Sequence, residues 1–196
     1  MIIVTNRHLC RGDFLERIER LAALRPSGIL LREKDLSLEE YILLAQACGK
    51  ICRENSVPMI LSHFPDAADI TGNPYLQLSY PLFIEQPYLA KKLCCGVSVH
   101  SLCEAKAAEK AGAKYLIAGH IFETNCKPGI RPRGLSFLRE LCSSVRLPVY
   151  AIGGIRADNF RQVFCAGAKD FCVMSLMMSC ACPEKIYRKF QMKKPR

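Results

Sequence analysis

The sequence has no apolar run approaching the length of a membrane span, so no transmembrane helix and no membrane partner are expected. It has no proline-rich or low-complexity stretch between its patterned segments. That argues for one domain over 1–190, followed by a short basic tail at 191–196. The opening run MIIVTNRHLCR meets charge too soon for a secretory leader. No paired C-x2-C units occur among the twelve cysteines, whose closest spacings are Cys48-x3-Cys52, Cys94-Cys95 and Cys180-x-Cys182. A structural zinc site is thereby excluded, and no metal is assigned. These absences point to a cytoplasmic protein with reduced thiols, most of them acting as small core hydrophobes. Cys126, set in a polar loop, is the exception.

What is present fits a globular domain. Half of the 196 residues are hydrophobic and 23% are charged, the ordinary balance of a domain able to bury a core. The formal charge is +10, but the basic residues are scattered along helical patterns (Arg17, Arg20, Lys50, Arg53, Lys106, Lys110, Lys185, Lys189). They read as solvated helix faces, and no nucleic-acid motif accompanies them, so no nucleic-acid partner is expected. An excess of positive charge also draws phosphorylated small molecules toward a cleft.

Short apolar runs alternate with helical patterns along the whole chain. Strands are expected at Ile2–Thr5, 28–32, 57–62, 75–79, 94–100, 114–120, 147–155 and 169–175. Helices are expected from Asp13, from Ser37 (where SLEE has capping-box form), near 85–93, from Ser101, over 134–145, over 157–167 and to about Phe190. A short helical turn opens at Pro65. The later strands are apolar throughout, as buried parallel strands are. About eight strand-helix units, with no G-x-G-x-x-G after the first strand to suggest a doubly wound sheet, predict a compact (β/α)8 barrel.

Barrel active sites lie at the C-terminal strand ends, and phosphates often bind after strands seven and eight. Arg32 and Lys34 stand on one side of an extended segment after strand two, with Glu33 turned the other way; two cations there suit a pyrophosphate or a carboxylate. Ser62 and His63 follow strand three. Ser98 and His100 end strand five, and His120 ends strand six. Gly153 and Gly154, with Met174 and Ser175 one unit later, match a phosphate cradle. The segment GHIFETNCKPG (119–129) adds Thr124, Cys126 and Lys127 to the same loop. An imidazole at such a place can take and return a carbon-bound proton near neutral pH, which makes His120 the candidate base. Lys127 would point at substrate.

The runs REK, GVSVHS, AGAKYLIAGHIFET, KPG, PVYAIGGI and AGAKDFCVMS resemble, in order and spacing, the thiamine-phosphate-synthase/TenI superfamily of barrels. The resemblance covers essentially the whole chain. In the synthase branch it implies joining a pyrimidine diphosphate to a thiazole phosphate, with Mg²⁺ held by the carboxylate of an Asn-Asp pair after strand three and by another near strand four. Here those places read Ser62-His63, although Asp66 matches, and QLSY (77–80). GHIFETNCKPG is similar to the TenI branch almost residue for residue. That branch implies thiazole tautomerase activity, an isomerase in thiamine biosynthesis that aromatises a dihydrothiazole carboxylate phosphate without metal or organic cofactor. His120 would then be the proton shuttle, and Gly153, Gly154, Met174 and Ser175 the phosphate site. Groups near Ser98 and Thr124 would orient the ring, Arg32 or Lys34 would lie near the carboxylate, and His100 is a further substrate- or phosphate-binding candidate. Family barrels often pair as homodimers. The alternatives are a true thiamine-phosphate synthase using Asp66, REK and Mg²⁺, and a catalytically silent binding or regulatory protein. The expectation is the tautomerase.

Overall fold

The computed structural model describes residues 1–191. The basic tail expected at 191–196 lies, past Gln191, outside them. The strands are β1 (Ile2–Val4), β2 (Gly28–Leu31), β3 (Met59–Ser62), β4 (Tyr75–Ser79), β5 (Cys94–Val99), β6 (Tyr115–Gly119), β7 (Val149–Ile152) and β8 (Asp170–Val173). They run in sequence order around a closed barrel, the (β/α)8 fold that the alternating pattern predicts. The pairs β1–β2, β2–β3, β5–β6, β6–β7 and β7–β8 are parallel.

The helices are α1 (Phe14–Ala23), α2 (Leu38–Glu54), α3 (Pro65–Thr71), α4 (Tyr80–Glu85), α5 (Leu89–Lys92), α6 (Leu102–Lys110), α7 (Gly134–Ser144), α8 (Phe160–Cys165), α9 (Ser175–Met178) and α10 (Pro183–Gln191). Local chemistry sets several starts. Asp13 accepts from the Glu16 N–H to cap α1. Ser37 and Glu40 close a reciprocal capping box on α2, and Ser101 accepts from the Glu104 N–H on α6; each such cap contributes about 1 kcal/mol. Two expected helices differ. The one near 85–93 is the short α5, with the unexpected α4 before it and Pro87 between them, and the last helix splits where Pro183 begins α10, because proline cannot continue a preceding helix.

The described residues form two compact units: Met1–Leu76 with residues 173–191, and Gln77–Cys172. In the first, Ile3, Leu31 and Leu61 are wholly buried strand residues, and Ile18 and Leu21 bury one face of α1. Side chains of α1 also hold the returning chain. Arg17 donates to the Cys180 carbonyl at 2.8 Å, and Arg20 makes a two-pronged pair with Glu184, both contacts at 2.9 Å. The Tyr187 hydroxyl donates to the Arg25 carbonyl at 3.3 Å. In the second unit, Leu116, Ala118 and Ala151 are buried strand residues, while Phe160, Phe164 and Phe171 stack at 5.5–6.2 Å between centroids. Each Leu-sized burial contributes roughly 1.5–3 kcal/mol.

The cysteine expectation holds only in part. Cys48, Cys52, Cys95 and Cys172 are buried, whereas Cys103, Cys126, Cys165 and Cys182 are exposed, and all twelve are free thiols. Burial pushes Cys48 up to about 12 and Cys52 up to about 11, so these two behave as apolar filler. No described helix is long and apolar enough to cross a membrane.

Candidate functional site

In the first unit the strand ends are organised by charge. Thr5, just past β1, donates its hydroxyl to Glu33 at 2.6 Å and accepts from the Arg32 N–H at 3.0 Å. Glu33 is 2% exposed. Its two oxygens also take the Arg7 N–H at 3.1 and 3.0 Å, and Arg7 Nη1 reaches it at 3.4 Å. The same guanidinium grips Asp35 at 2.7 and 2.5 Å, and His8 Nε2 lies 2.8 Å from that carboxylate. Hydrogen bonds from Arg7, and then from His8, hold the Asp35 carboxyl well below the usual carboxylate range.

Both acids of this segment are thus taken, and Arg32 and Lys34 have no carboxylate partner among the described residues. Partial burial, reinforced by the Arg32 cation, depresses Lys34 below the ordinary lysine range. His63, just past β3, is depressed by partial desolvation and by Lys34. A carboxylate among these groups would have moved both upward. The expectation that Glu33 turns away from Arg32 and Lys34 agrees with its bonds to Thr5 and Arg7. Their common member, Arg7, lies 26 residues from Glu33; Arg7, Thr5 and His63's place beside Lys34 were not anticipated. A carboxylate between two cations (Arg32-Glu33-Lys34) that must be buried somewhere was the available signal.

The ends of β2 and β3 are held together by Tyr41 of α2. Its hydroxyl donates to the Leu31 carbonyl at 2.7 Å and accepts from the Ser62 N–H at 2.8 Å. Leu31 pairs with Leu61 in register, so Arg32 and Ser62 follow at matching positions. Met174 precedes α9, its carbonyl accepting from Met177 and Met178 at 3.0 Å, and the Ser175 carbonyl accepts from Ser179.

In the second unit the strand ends are organised by backbone. Gly153 has φ 100° and Gly154 has φ 65°. A Cβ on Gly153 would lie 2.2 Å from the His120 Cβ, and one on Gly154 would lie 2.3 Å from the Glu123 carbonyl oxygen. Both positions therefore require glycine because the chain after β6 passes directly against them. The Phe122 N–H donates to the Gly153 carbonyl at 3.0 Å, and Asn159 Nδ2 donates to the Gly154 carbonyl at 2.9 Å.

His120 is 5% exposed, with Nε2 3.1 Å from the Ile130 carbonyl. Its own carbonyl accepts from Arg133 at 3.0 Å. The residue thus ties down the loop that follows β6. His100 Nδ1 lies 2.7 Å from the Gly119 carbonyl, and the His100 N–H donates to Glu104 at 2.6 Å. Ser98 accepts from Gln77 Nε2 at 3.0 Å. Thr124 accepts from the Cys126 N–H at 3.3 Å, and its carbonyl accepts from the Lys127 N–H at 3.1 Å. Cys126 is exposed and Lys127 half-buried. Ser98, His100, His120, Gly153 and Gly154 are gathered at strand ends of this unit; Thr124 and Lys127 stand further out on its loop.

A (β/α)8 barrel is a common enzyme fold, and strand-end cations without acid partners among the described residues suit anionic small molecules. The chain belongs to the thiamine monophosphate synthase family, whose model matches residues 1–177. It is similar to the thiamine-phosphate synthase of Syntrophomonas wolfei, 32% identical over 196 residues that cover 97% of this chain and 94% of that one. Against the thiamine-phosphate synthase of Pyrococcus abyssi it is 34% identical over 181 residues, covering 91% and 86%. A solved structure, thiamine phosphate pyrophosphorylase from Pyrococcus furiosus, superposes with a TM-score of 0.84 at 30% identity, covering 97% and 93%.

These names overturn the tautomerase expectation and its isomerase class. The likeness that suggested it was confined to GHIFETNCKPG, whereas the likeness to synthases runs through nearly the full chain. The proton-shuttle role given to His120 falls with it. Its burial and its bond to Ile130 account for a histidine there on structural grounds.

Proposed function

We propose that this chain is a thiamine-phosphate synthase, a transferase of the cytoplasm that joins a hydroxymethylpyrimidine diphosphate to a thiazole phosphate. The observation that carries the reading is the identity of about a third across nearly the whole chain to proteins bearing that name. In the reaction the thiazole nitrogen forms a C–N bond to the pyrimidine methylene. The C–O bond to the diphosphate breaks, its electron pair leaves with oxygen, and pyrophosphate is released. Charge accumulates on the leaving group, so preorganised cations lower the barrier. Arg32 and Lys34 suit that charge, being cationic, close in sequence and free of carboxylates. The N–H groups around Gly153 and Gly154 suit the thiazole phosphate, and Ser98, held by Gln77, offers a fixed hydroxyl for a ring substituent.

The family resemblance implies Mg²⁺, which takes carboxylate oxygens. The donor set of the first unit does not fit it. Glu33 and Asp35 are occupied by Thr5, Arg7 and His8, and Ser62-His63 stands where an Asn-Asp pair would. No group of three or more His, Cys, Asp or Glu among the described residues is placed to hold a metal ion.

The test is direct coupling. Purified protein is given both substrates, and thiamine phosphate is measured by chromatography after oxidation to its fluorescent derivative. The expected result is stoichiometric thiamine phosphate and pyrophosphate, with kcat/KM lowered about a hundredfold in Arg32→Met and Lys34→Met, two charge-assisted contacts being worth roughly 3 kcal/mol. A wild-type protein that forms no product under any condition overturns the reading.

A further inference from the structure

We infer that His63 joins Arg32 and Lys34 in a diphosphate-binding site made of protein cations, in which the imidazolium and its two neighbours supply the neutralisation that a carboxylate-held metal ion would otherwise provide. The identity of the ligand as a diphosphate ester rests on the synthase reading; the anion site itself rests on the first unit alone.

Three independent features lead to it. The first is backbone. His63 has φ 77°, in the left-handed region that non-glycine residues enter at a cost of about 1–2 kcal/mol. It is exposed, so no deep burial of its ring compensates for that conformation. A bulky residue kept there, where glycine is easier, points to a requirement for its side chain.

The second is placement. Tyr41 fixes the Leu31 carbonyl and the Ser62 N–H on one hydroxyl, so the residues that follow, Arg32 and His63, leave two paired strands at neighbouring points. Phe64 packs edge-on to the His63 ring at 5.0 Å and against Tyr41 at 4.6 Å. The imidazole is therefore carried by the same buried tyrosine that sets the strand ends.

The third is charge. Besides partial burial, the Arg32 cation lowers Lys34 and the Lys34 cation lowers His63, so positive charge is crowded at this strand end. The acids that could relieve it are committed elsewhere: Glu33 to Thr5 and Arg7, Asp35 to Arg7 and His8. The helix that follows His63 carries two acids, Asp66, exposed in the first turn of α3, and Asp69 on the same helix; Tyr41 and Phe64 are neutral. Mutual repulsion among fixed cations is relieved when a polyanion arrives, and the arriving anion pulls His63 toward its protonated form.

The experiment is calorimetric titration of the full chain with inorganic pyrophosphate in EDTA at pH 6 and pH 8, for wild type, His63→Gln, His63→Gly and His63→Lys. At a single pH the ligand's own ionisation cancels between variants. Relative to wild type, the Gln and Gly variants should bind about tenfold more weakly at pH 6, and at most about twofold more weakly at pH 8, where the imidazole is neutral; tenfold corresponds to ~1.4 kcal/mol, one charge-assisted contact. The Lys variant should match wild type at pH 6 and bind about tenfold more tightly than the Gln variant at both values. His63→Gly should also melt at a higher temperature, because glycine relieves the positive φ, so a loss of binding in that variant is not a loss of structure. Wild type that binds pyrophosphate only when Mg²⁺ is added, or Gln and Gly variants that bind like wild type at pH 6, would overturn the inference. A parallel coupling assay separates the two readings: thiamine phosphate formed only with Mg²⁺ refutes the cation site and leaves the synthase standing. Absence of coupling with or without Mg²⁺ refutes the synthase, while the pyrophosphate titration still decides the anion site.

Discussion

The two units of the molecule arrange their strand ends by different means. In the first, side chains do it: Arg7 spans two carboxylates, Thr5 joins Glu33 to the Arg32 backbone, and Tyr41 spans β2 and β3. In the second, backbone does it: Gly153 and Gly154 admit the chain after β6 to within a distance no side chain would allow. Hydrogen-bonded charges can be screened, protonated or replaced one at a time. A steric fit between backbones has no such gradation. The first unit's arrangement is therefore the one that evolution or pH adjusts in small steps, and the second's is the one that is kept or lost.

The sharpest way to break this comparison is Gly154→Ala. The new Cβ meets a carbonyl oxygen at 2.3 Å on a residue with φ 65°, and unfolding in urea should show a loss of about 3 kcal/mol that is insensitive to salt. Glu33→Gln should cost about 2 kcal/mol, since it leaves buried donors from Thr5 and Arg7 short of a charged acceptor. Tyr41→Phe removes the hydroxyl shared by Leu31 and Ser62 and should cost about 1.5 kcal/mol. Equal losses for Gly154→Ala and Tyr41→Phe would erase the distinction between the units.

The smallest effect is one of pH. The Asp35 carboxyl is depressed in the folded chain by Arg7 and His8, so its contribution is full above the unfolded carboxylate range, near pH 4, and is lost as pH falls below it. The melting-temperature advantage of wild type over Asp35→Asn should hold from pH 5 to 7 and shrink below pH 4. An advantage that survives to pH 2 would show that the pairing with Arg7 is not its source.

The fold was legible because its signal is repeated. Eight short apolar runs, each bounded by helical pattern, specify the barrel even when single boundaries slip by one to three residues. The slips have local causes, such as Pro87 and Pro183 cutting helices that periodicity alone would continue. The strand-end positions of the site were legible for the same reason, since a residue that follows an apolar run falls at the end of a strand. What those residues do was less legible. Glycines at 153 and 154 read as a phosphate cradle; their close approach to the chain after β6 was not legible, because His120 and Glu123, which make it, are remote in sequence. The ion network escaped notice because Arg7 and Glu33 belong to different strand-helix units. The tautomerase expectation failed because eleven residues of local likeness, with the departures at Ser62-His63 and QLSY, outweighed a whole-chain pattern, and a histidine anchored by a carbonyl looks, in sequence, the same as one that moves a proton.

The straps from α1 to the returning chain have a consequence for biosynthesis. Arg17 and Arg20 take their partners, Cys180, Ala181 and Glu184, from residues more than 160 positions later. On the ribosome the first helix emerges long before those partners exist, whereas Gln77–Cys172 is one uninterrupted stretch able to begin organising as it is extruded. The nascent first helix thus waits with a buried-type arginine and an apolar face uncovered until translation nears its end. That interval is the window in which a chaperone has most to shield, and in which a ribosome stalled before codon 180 leaves a chain that cannot complete its first unit.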